Sequence, residues 1–265
     1  MTSEHIQIRK NIPSGTIILN RTDKKNALSR EMVGMLKQSL EDFLPEKKVR
    51  SIILTGAGDT FCSGTDLVQI QETSQNINAM QTWHEDVNAF RSLIEYMLRY
   101  PKPIIAAING PIAGSGLALA LASDIVVTAQ SAEVALPEPL RGLSHGLTPP
   151  LLSFRVGSGP AARVLLGGAS VDSKTGKELG IFHHVVDENL VWVKAQEIAQ
   201  TIADGARESY QMTKQFLNDT VGESLFMQLS IAAANMAAAR TTPAAKEGIA
   251  AFLEKRETDW EKPLE

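Results

Sequence analysis

Two glycine-bearing turns are the parts of this 265-residue chain whose residue types and spacing could do chemistry. The first runs from Thr55-Gly56 to Phe61-Cys62-Ser63-Gly64-Thr65-Asp66-Leu67, after an apolar run at 51–55. The second is Asn109-Gly110-Pro111-Ile112-Ala113-Gly114-Ser115-Gly116, after a run at 103–108. Each puts glycine where a strand must turn sharply, a place that favours φ > 0. The second turn also opens a helix, so unpaired N–H groups there lie at the positive end of its dipole. Two such turns at neighbouring strand ends can aim two backbone N–H groups at one oxygen, which is an oxyanion hole. Spacing alone leaves the plainer reading of two tight turns open. Other glycine motifs fail on particular residues. Leu119 stands where a dinucleotide fingerprint needs its third glycine, and no P-loop pattern occurs. Ser115 is not a nucleophile elbow, because Ala113 and Leu117 occupy the flanking glycine positions.

Glu138 lies between Pro137 and Pro139. The fixed φ of Pro137 and the bias imposed by Pro139 predict a stiff, extended segment that can aim a carboxylate. A solvated loop glutamate is the alternative from sequence alone. Ser115 at a helix start with His145 downstream allows a hydrolase reading, a hydroxyl with a histidine base. His183 and His184 are neighbours in an apparent strand and so face opposite sides. The five histidines show no H-x-x-x-H spacing, and the single cysteine, Cys62, excludes an intrachain disulfide and a Cys-based zinc site. No metal is expected.

The elements that must position these groups read as alternating strands and helices. Residues 4–10 alternate and 16–20 (TIILN) follow a Ser14-Gly15 break, which predicts a β-hairpin. Residues 30–44 carry Met32, Met35, Leu36, Leu40, Phe43 and Leu44 at helical spacing, with Ser29 as N-cap. SIILTG at 51–56 and PIIAAING at 103–110 read as buried strands, with a helix between them that ends before Pro101. DIVVTAQ (124–130) and EVALPEP (133–139) read as strands or extended chain. Beyond about residue 158 the pattern is mostly helical, over 159–166, 172–179, 189–204, 207–219, 223–239 and 243–255. The expectation is an α/β core followed by a helical layer. The alanine-rich helix at 223–239 is either tightly packed inside or part of a subunit interface.

Composition narrows the partners. The 26 Lys+Arg against 30 Asp+Glu leave a net charge of −4, with no basic block, which argues against nucleic acid. Fourteen aromatic residues (8 Phe, 3 Trp, 3 Tyr) are too few for a base-stacking platform. No apolar run approaches the ~18 residues that span a bilayer. The opening residues lack the shape of a secretory signal, so a cytoplasmic location is expected.

The segments NRTDKKNAL (20–28), SIILTGAGDTFCSGTDL (51–67), PKPIIAAINGPIAGSGLALALASDIVV (101–127), ALPEPLRGL (135–143), KELGIFHHVV (177–186) and EGIAAFLEKRETDW (247–260) together resemble the crotonase, or enoyl-CoA hydratase/isomerase, family. The resemblance runs in order over roughly residues 5–260. It implies the ClpP/crotonase spiral of ββα units over 1–200. Residues 201–265 would form a helical region that completes the CoA site and builds a homotrimer or a dimer of trimers. It also implies an acyl-CoA thioester as substrate, with no tightly bound cofactor.

The resemblance further implies that the N–H groups of Thr65 and Ser115 bind the thioester oxygen and that Glu138 is the acid/base. Lys24, Lys25, Asn26, Ala27, Leu28, Ser63, Asp66 and Leu67 would follow the CoA, and Phe252, Lys255 and Arg256 would approach its nucleotide end. Asp66 reads as a brace for its turn. The family's hydratases use a second glutamate at the position held here by Ala118. Their glycine-rich loop is replaced here by Gly142-Leu143-Ser144-His145-Gly146-Leu147-Thr148-Pro149-Pro150. His145 is new there, either a partner for Glu138 or a wall residue. The stretches 68–100 and 140–155 are expected to line the acyl pocket. One carboxylate can move a double bond, so isomerisation is favoured over hydration. A CoA-binding assembly protein without catalysis is the remaining alternative.

Overall fold

A computed structural model describes residues 5–261. Residues 1–4 and 262–265, which belong to the expected terminal bounds and to the start of the first expected strand, lie outside the described residues.

Strands β1 (Ile6–Asn11) and β2 (Ser14–Leu19) form the hairpin, paired antiparallel from Ile6 opposite Leu19 to Asn11 opposite Ser14. Helix α1 (Arg30–Phe43) begins where Ser29 Oγ accepts the Met32 N–H, and it buries Met32, Leu36, Leu40 and Phe43. The chain continues through β3 (Ser51–Gly56), α2 (Leu67–Ser74), α3 (Ala79–Arg99), β4 (Ile104–Ile108), β5 (Ile112–Ala113), α4 (Ser115–Leu121), β6 (Ile125–Ala129) and β7 (Glu133–Ala135). It then forms α5 (Thr148–Val156), α6 (Ser158–Leu166), β8 (Val171–Asp172), α7 (Ser173–Leu179) and β9 (His184–Val186). The last helices are α8 (Val191–Asp204), α9 (Arg207–Phe216), α10 (Glu223–Ala239) and α11 (Pro243–Glu254). The expected boundary at residue 200 falls inside α8.

One sheet has the order β1-β2-β3-β4-β6-β9 and is parallel beyond the hairpin, and a smaller sheet has the order β5-β7-β8. Strands β2 and β4 are buried along their whole length, which is why they read as apolar runs and not as alternation. Leu19 pairs with Gly56 and Thr55 with Ala107, so β2, β3 and β4 end level. The loops that follow them leave the same edge side by side, where open α/β sheets bind ligands. No helix among the described residues is long and apolar enough to cross a membrane.

Two helices went unread and one local expectation needs correction. Helix α2 was not legible as a helix; Asp66 starts it, its Oδ1 accepting the Val68 and Gln69 N–H groups at 3.0 and 3.4 Å. Within 140–155 the irregular chain is short, because α5 begins at Thr148 with its prolines in the first turn, where no N–H partner is needed. Glu138 is helical, with φ −55° and ψ −44°, and not extended. Its carbonyl accepts the N–H groups of Arg141 and Leu143, both at 2.9 Å. That tight turn, with Pro139 at its first position, outweighs the bias of the following proline.

Candidate active site

The loop after β3 is stitched between its two neighbours. Leu28 N–H donates to Gly64 O at 2.8 Å, Asp66 N–H to Leu28 O at 3.0 Å, and Ala113 N–H to Cys62 O at 2.9 Å. Asn26 is fully buried and spends its side-chain amide on Ala57 O and Thr60 O, at 2.9 and 2.8 Å. These rungs bring Gly64-Thr65 against Gly114-Ser115. The hydroxyls of Thr65 and Ser115 hydrogen-bond to each other at 2.8 Å. Gly64 has φ +93°, and a Cβ there would lie 3.0 Å from Ala113 O and 3.4 Å from Ser115 N. The backbones approach this closely because the residue is glycine. Neither the Thr65 N–H nor the Ser115 N–H has a hydrogen-bond acceptor among the described residues.

Both residues open onto a cleft of about 500 Å³ that Glu138 and His145 also line. Glu138 Oε1 packs on Gly114, where a Cβ would come within 2.3 Å of it. Its Oε2 lies 3.1 Å from His145 Nδ1, and His145 Nε2 lies 3.0 Å from Leu165 O. A carbonyl can only accept, so Nε2 carries a proton. The proton between Nδ1 and Oε2 then belongs to an imidazolium–carboxylate pair or to an imidazole–carboxylic acid pair. Burial works against the imidazolium, but the hydrogen bond and charge of Glu138 and the Leu165 carbonyl outweigh it and raise the His145 pKa.

A raised folded-state pKa stabilises the protein fully below the unfolded value of about 6.5, and that contribution is lost as pH rises through the folded value. His145→Gln is therefore expected to cost most stability below about pH 6.5, with the gap closing at alkaline pH. Thermal unfolding of both proteins across pH checks this, and a gap that widens with pH would contradict the pairing.

Thr65, Ser115, Glu138, His145, Ser63 and Leu67 thus meet at one cleft. Leu28 and Asp66 line an adjoining pocket of about 430 Å³ that shares Thr65, Ile70, Met236 and Arg240 with the first. Asp66 also pairs with Arg21 at 2.6 Å and is a brace for its turn. Lys24 and Lys25 are exposed beside the rim, with the Lys25 carbonyl accepting the Ser63 N–H at 3.0 Å. They and Ala27, Asn26 and Lys255 do not line the cleft. Phe252 reaches it through Arg141, whose guanidinium lies 4.0 Å over its ring. Arg256 is engaged by Glu247 and Glu254. Cys62 is fully buried, which pushes its thiol up to about 12, so it is inert.

The Ser115–His145 pair of the hydrolase reading does not assemble. Ser115 Oγ bonds Thr65, and both ring nitrogens of His145 are engaged elsewhere. Arg141, Ser144, Met236 and Arg240 line the cleft and were not singled out from sequence. Met236 and Arg240 come from the end of α10, far along the chain, and no local pattern marks them.

Comparison with known proteins agrees with this architecture. The family model described as enoyl-CoA hydratase/isomerase matches residues 11–263. A Thermus thermophilus protein provisionally described as an enoyl-CoA hydratase is 33% identical over 91% of this chain and 94% of its own length. The 1,2-epoxyphenylacetyl-CoA isomerase of Escherichia coli is 30% identical over 91% of this chain and 92% of its own. The crystal structure of an enoyl-CoA hydratase/isomerase from Pseudoalteromonas atlantica superposes with a TM-score of 0.84 at 27% identity, covering 97% of this chain and 99% of that one. Matched along nearly its whole length in sequence and with the crotonase fold, the chain belongs to the enoyl-CoA hydratase/isomerase family of enzymes.

Proposed function

We propose that the enzyme shifts the double bond of an enoyl-CoA through an enolate, with Glu138 as its single acid/base. The observation that carries this reading is that Glu138 is the one carboxylate among the described residues lining the catalytic cleft. Ala118, where a second glutamate would stand, is fully buried in α4. In the adjoining pocket, Asp66 is bound by Arg21 and Asp86 by Arg30.

The thioester oxygen accepts the free N–H groups of Thr65 and Ser115, which makes the C2 proton acidic. The Glu138 carboxylate takes that proton, leaving a dienolate whose negative charge rests on the held oxygen. The resulting carboxylic acid returns the proton to C4, and the C3–C4 double bond becomes C2–C3. His145 holds Oε2, so Oε1 is the oxygen left to face substrate. Hydration in the family's two-glutamate manner would need a second carboxylate to hold and activate water, and Glu138 is the only one among the described residues lining this cleft. Acyl-CoA is substrate in this reading, and the chemistry needs no bound cofactor or metal.

The test is to incubate the enzyme with 3-enoyl-CoA and, separately, 2-enoyl-CoA in deuterated water. The expected result is conversion of the first to the 2-enoyl ester with exchange at C2 and little hydration of the second. Rapid formation of a 3-hydroxyacyl ester would favour the hydratase, and no exchange with any acyl-CoA would favour a non-catalytic protein. We also propose assembly into a trimer or dimer of trimers through the helical C-terminal part. Met212, Phe216, Leu217, Met227 and Ile231 leave exposed apolar surface along α9, the segment that follows it and α10, which assembly would cover. A monomeric mass by light scattering would overturn that assignment.

A further inference from the structure

A buried, unpaired cation faces the catalytic cleft. Arg240 follows α10 and is only 5% exposed, yet its guanidinium makes no hydrogen bond or ion pair among the described residues. It lines both the catalytic cleft and the adjoining pocket. Burying a charge without a partner is costly, and such groups are nearly always matched. The acid whose charge acts on it, Asp86, is already taken: both its oxygens are bonded by Arg30, with Nη2 to Oδ2 at 2.8 Å. Two cations therefore share one carboxylate, and Arg240 is left without an ion-pair partner of its own among the described residues. Burial pushes the Arg240 guanidinium down to about 10, with Asp86 opposing and Arg30 adding to the shift.

A second unsatisfied group lies on the same cleft. Ser144 Oγ is buried with no hydrogen-bond partner. Ile70 and Met236 supply apolar wall to both the catalytic cleft and the adjoining pocket. The cleft thus sets Arg240 beside apolar side chains and an unpartnered hydroxyl.

We infer that the preferred acyl group is short and carries a far-end carboxylate, which pairs with Arg240. This rests on the acyl-CoA reading above and names the substrate class for it. An anionic oxygen could also come from a phosphate of CoA. Against that source, Arg240 shares its cleft with Thr65, Ser115 and Glu138, and the whole pantetheine arm separates a thioester from those phosphates. Arginine rather than lysine suits the task, because its planar fork matches a carboxylate in two places.

Calorimetric titration with saturated esters of matched length provides the test, using glutaryl-CoA against pentanoyl-CoA and adipoyl-CoA against hexanoyl-CoA. At one length at least, the wild-type enzyme is expected to bind the dicarboxylic ester on the order of 10- to 100-fold more tightly. Arg240→Met is expected to erase that preference while leaving the monocarboxylic ester unchanged, and Arg240→Lys to keep part of it. The wild-type ratio needs no variant, so a misfolded Arg240→Met leaves the test intact. Equal affinities at both lengths overturn the inference. Equal weakening of both esters and of free CoA by Arg240→Met also overturns it and assigns the arginine to a phosphate. If all four esters fail to bind, the acyl-CoA reading falls as well, an outcome distinct from equal binding.

Discussion

Glu138→Gln is expected to lower isomerisation and C2 exchange by about 10²–10⁴-fold, the usual size of a general acid–base contribution. Glutamine keeps the volume and can still donate to His145 Nδ1, so the fold and the affinity for a saturated acyl-CoA are expected to persist. In the proposed mechanism the variant loses only the group that carries the proton between C2 and C4. Steady-state turnover alongside calorimetric binding separates these terms. Retained turnover would remove Glu138 from the reaction, and loss of binding with loss of fold would make it a structural residue. Ala118 and the arginine-bound Asp66 and Asp86 offer no substitute base.

Gly114→Ala is expected to be nearly as damaging, although it removes no functional group. Gly114 has φ +50° and ψ −122°, which glycine alone adopts readily. A Cβ there would meet Glu138 Oε1 at 2.3 Å, so the carboxylate must move. The same change twists the peptide that carries the Ser115 N–H. Losing one such donor typically costs about 10²–10³ in rate, before any displacement of the base. The strained backbone is expected to cost about 1–3 kcal/mol of stability. Gly34→Ala is the control, since Gly34 is on the exposed side of α1 with open space around it. Full activity in Gly114→Ala with a normal melting temperature would contradict the proposed geometry.

The parts of the fold most legible in the sequence were those whose signal is local. The Ser29 cap, the apolar spacing of α1 and the apolar runs of β3 and β4 each predict their own element, and the structure has them within a residue or two. The two glycine turns were legible as turns, because a strand ending in glycine has few alternatives. That they meet was not local information. It depends on Asn26, Cys62 and Gly64 bonding across three loops. The resemblance to a family supplied it in advance.

Glu138 shows the opposite failure, a local rule overridden. The proline that follows it favours extended chain, yet two hydrogen bonds to its own carbonyl close a helical turn. The consequence is functional, because the turn points the carboxylate back at Gly114. His145 was legible as a departure from the family pattern, but its partners, Glu138 and Leu165, come from separate parts of the chain. Arg240 carried no signal, since an arginine just past a helix end is ordinary until its burial is known.

The account stands or falls on where a bound thioester puts its oxygen. A crystal structure of the wild-type enzyme with a slowly reacting acyl-CoA ester measures this directly. The prediction is an oxygen about 2.7–3.1 Å from both the Thr65 and Ser115 nitrogens, with C2 beside Glu138 Oε1. An ester whose oxygen points away from both amides, or whose C2 lies out of reach of Glu138, would contradict it.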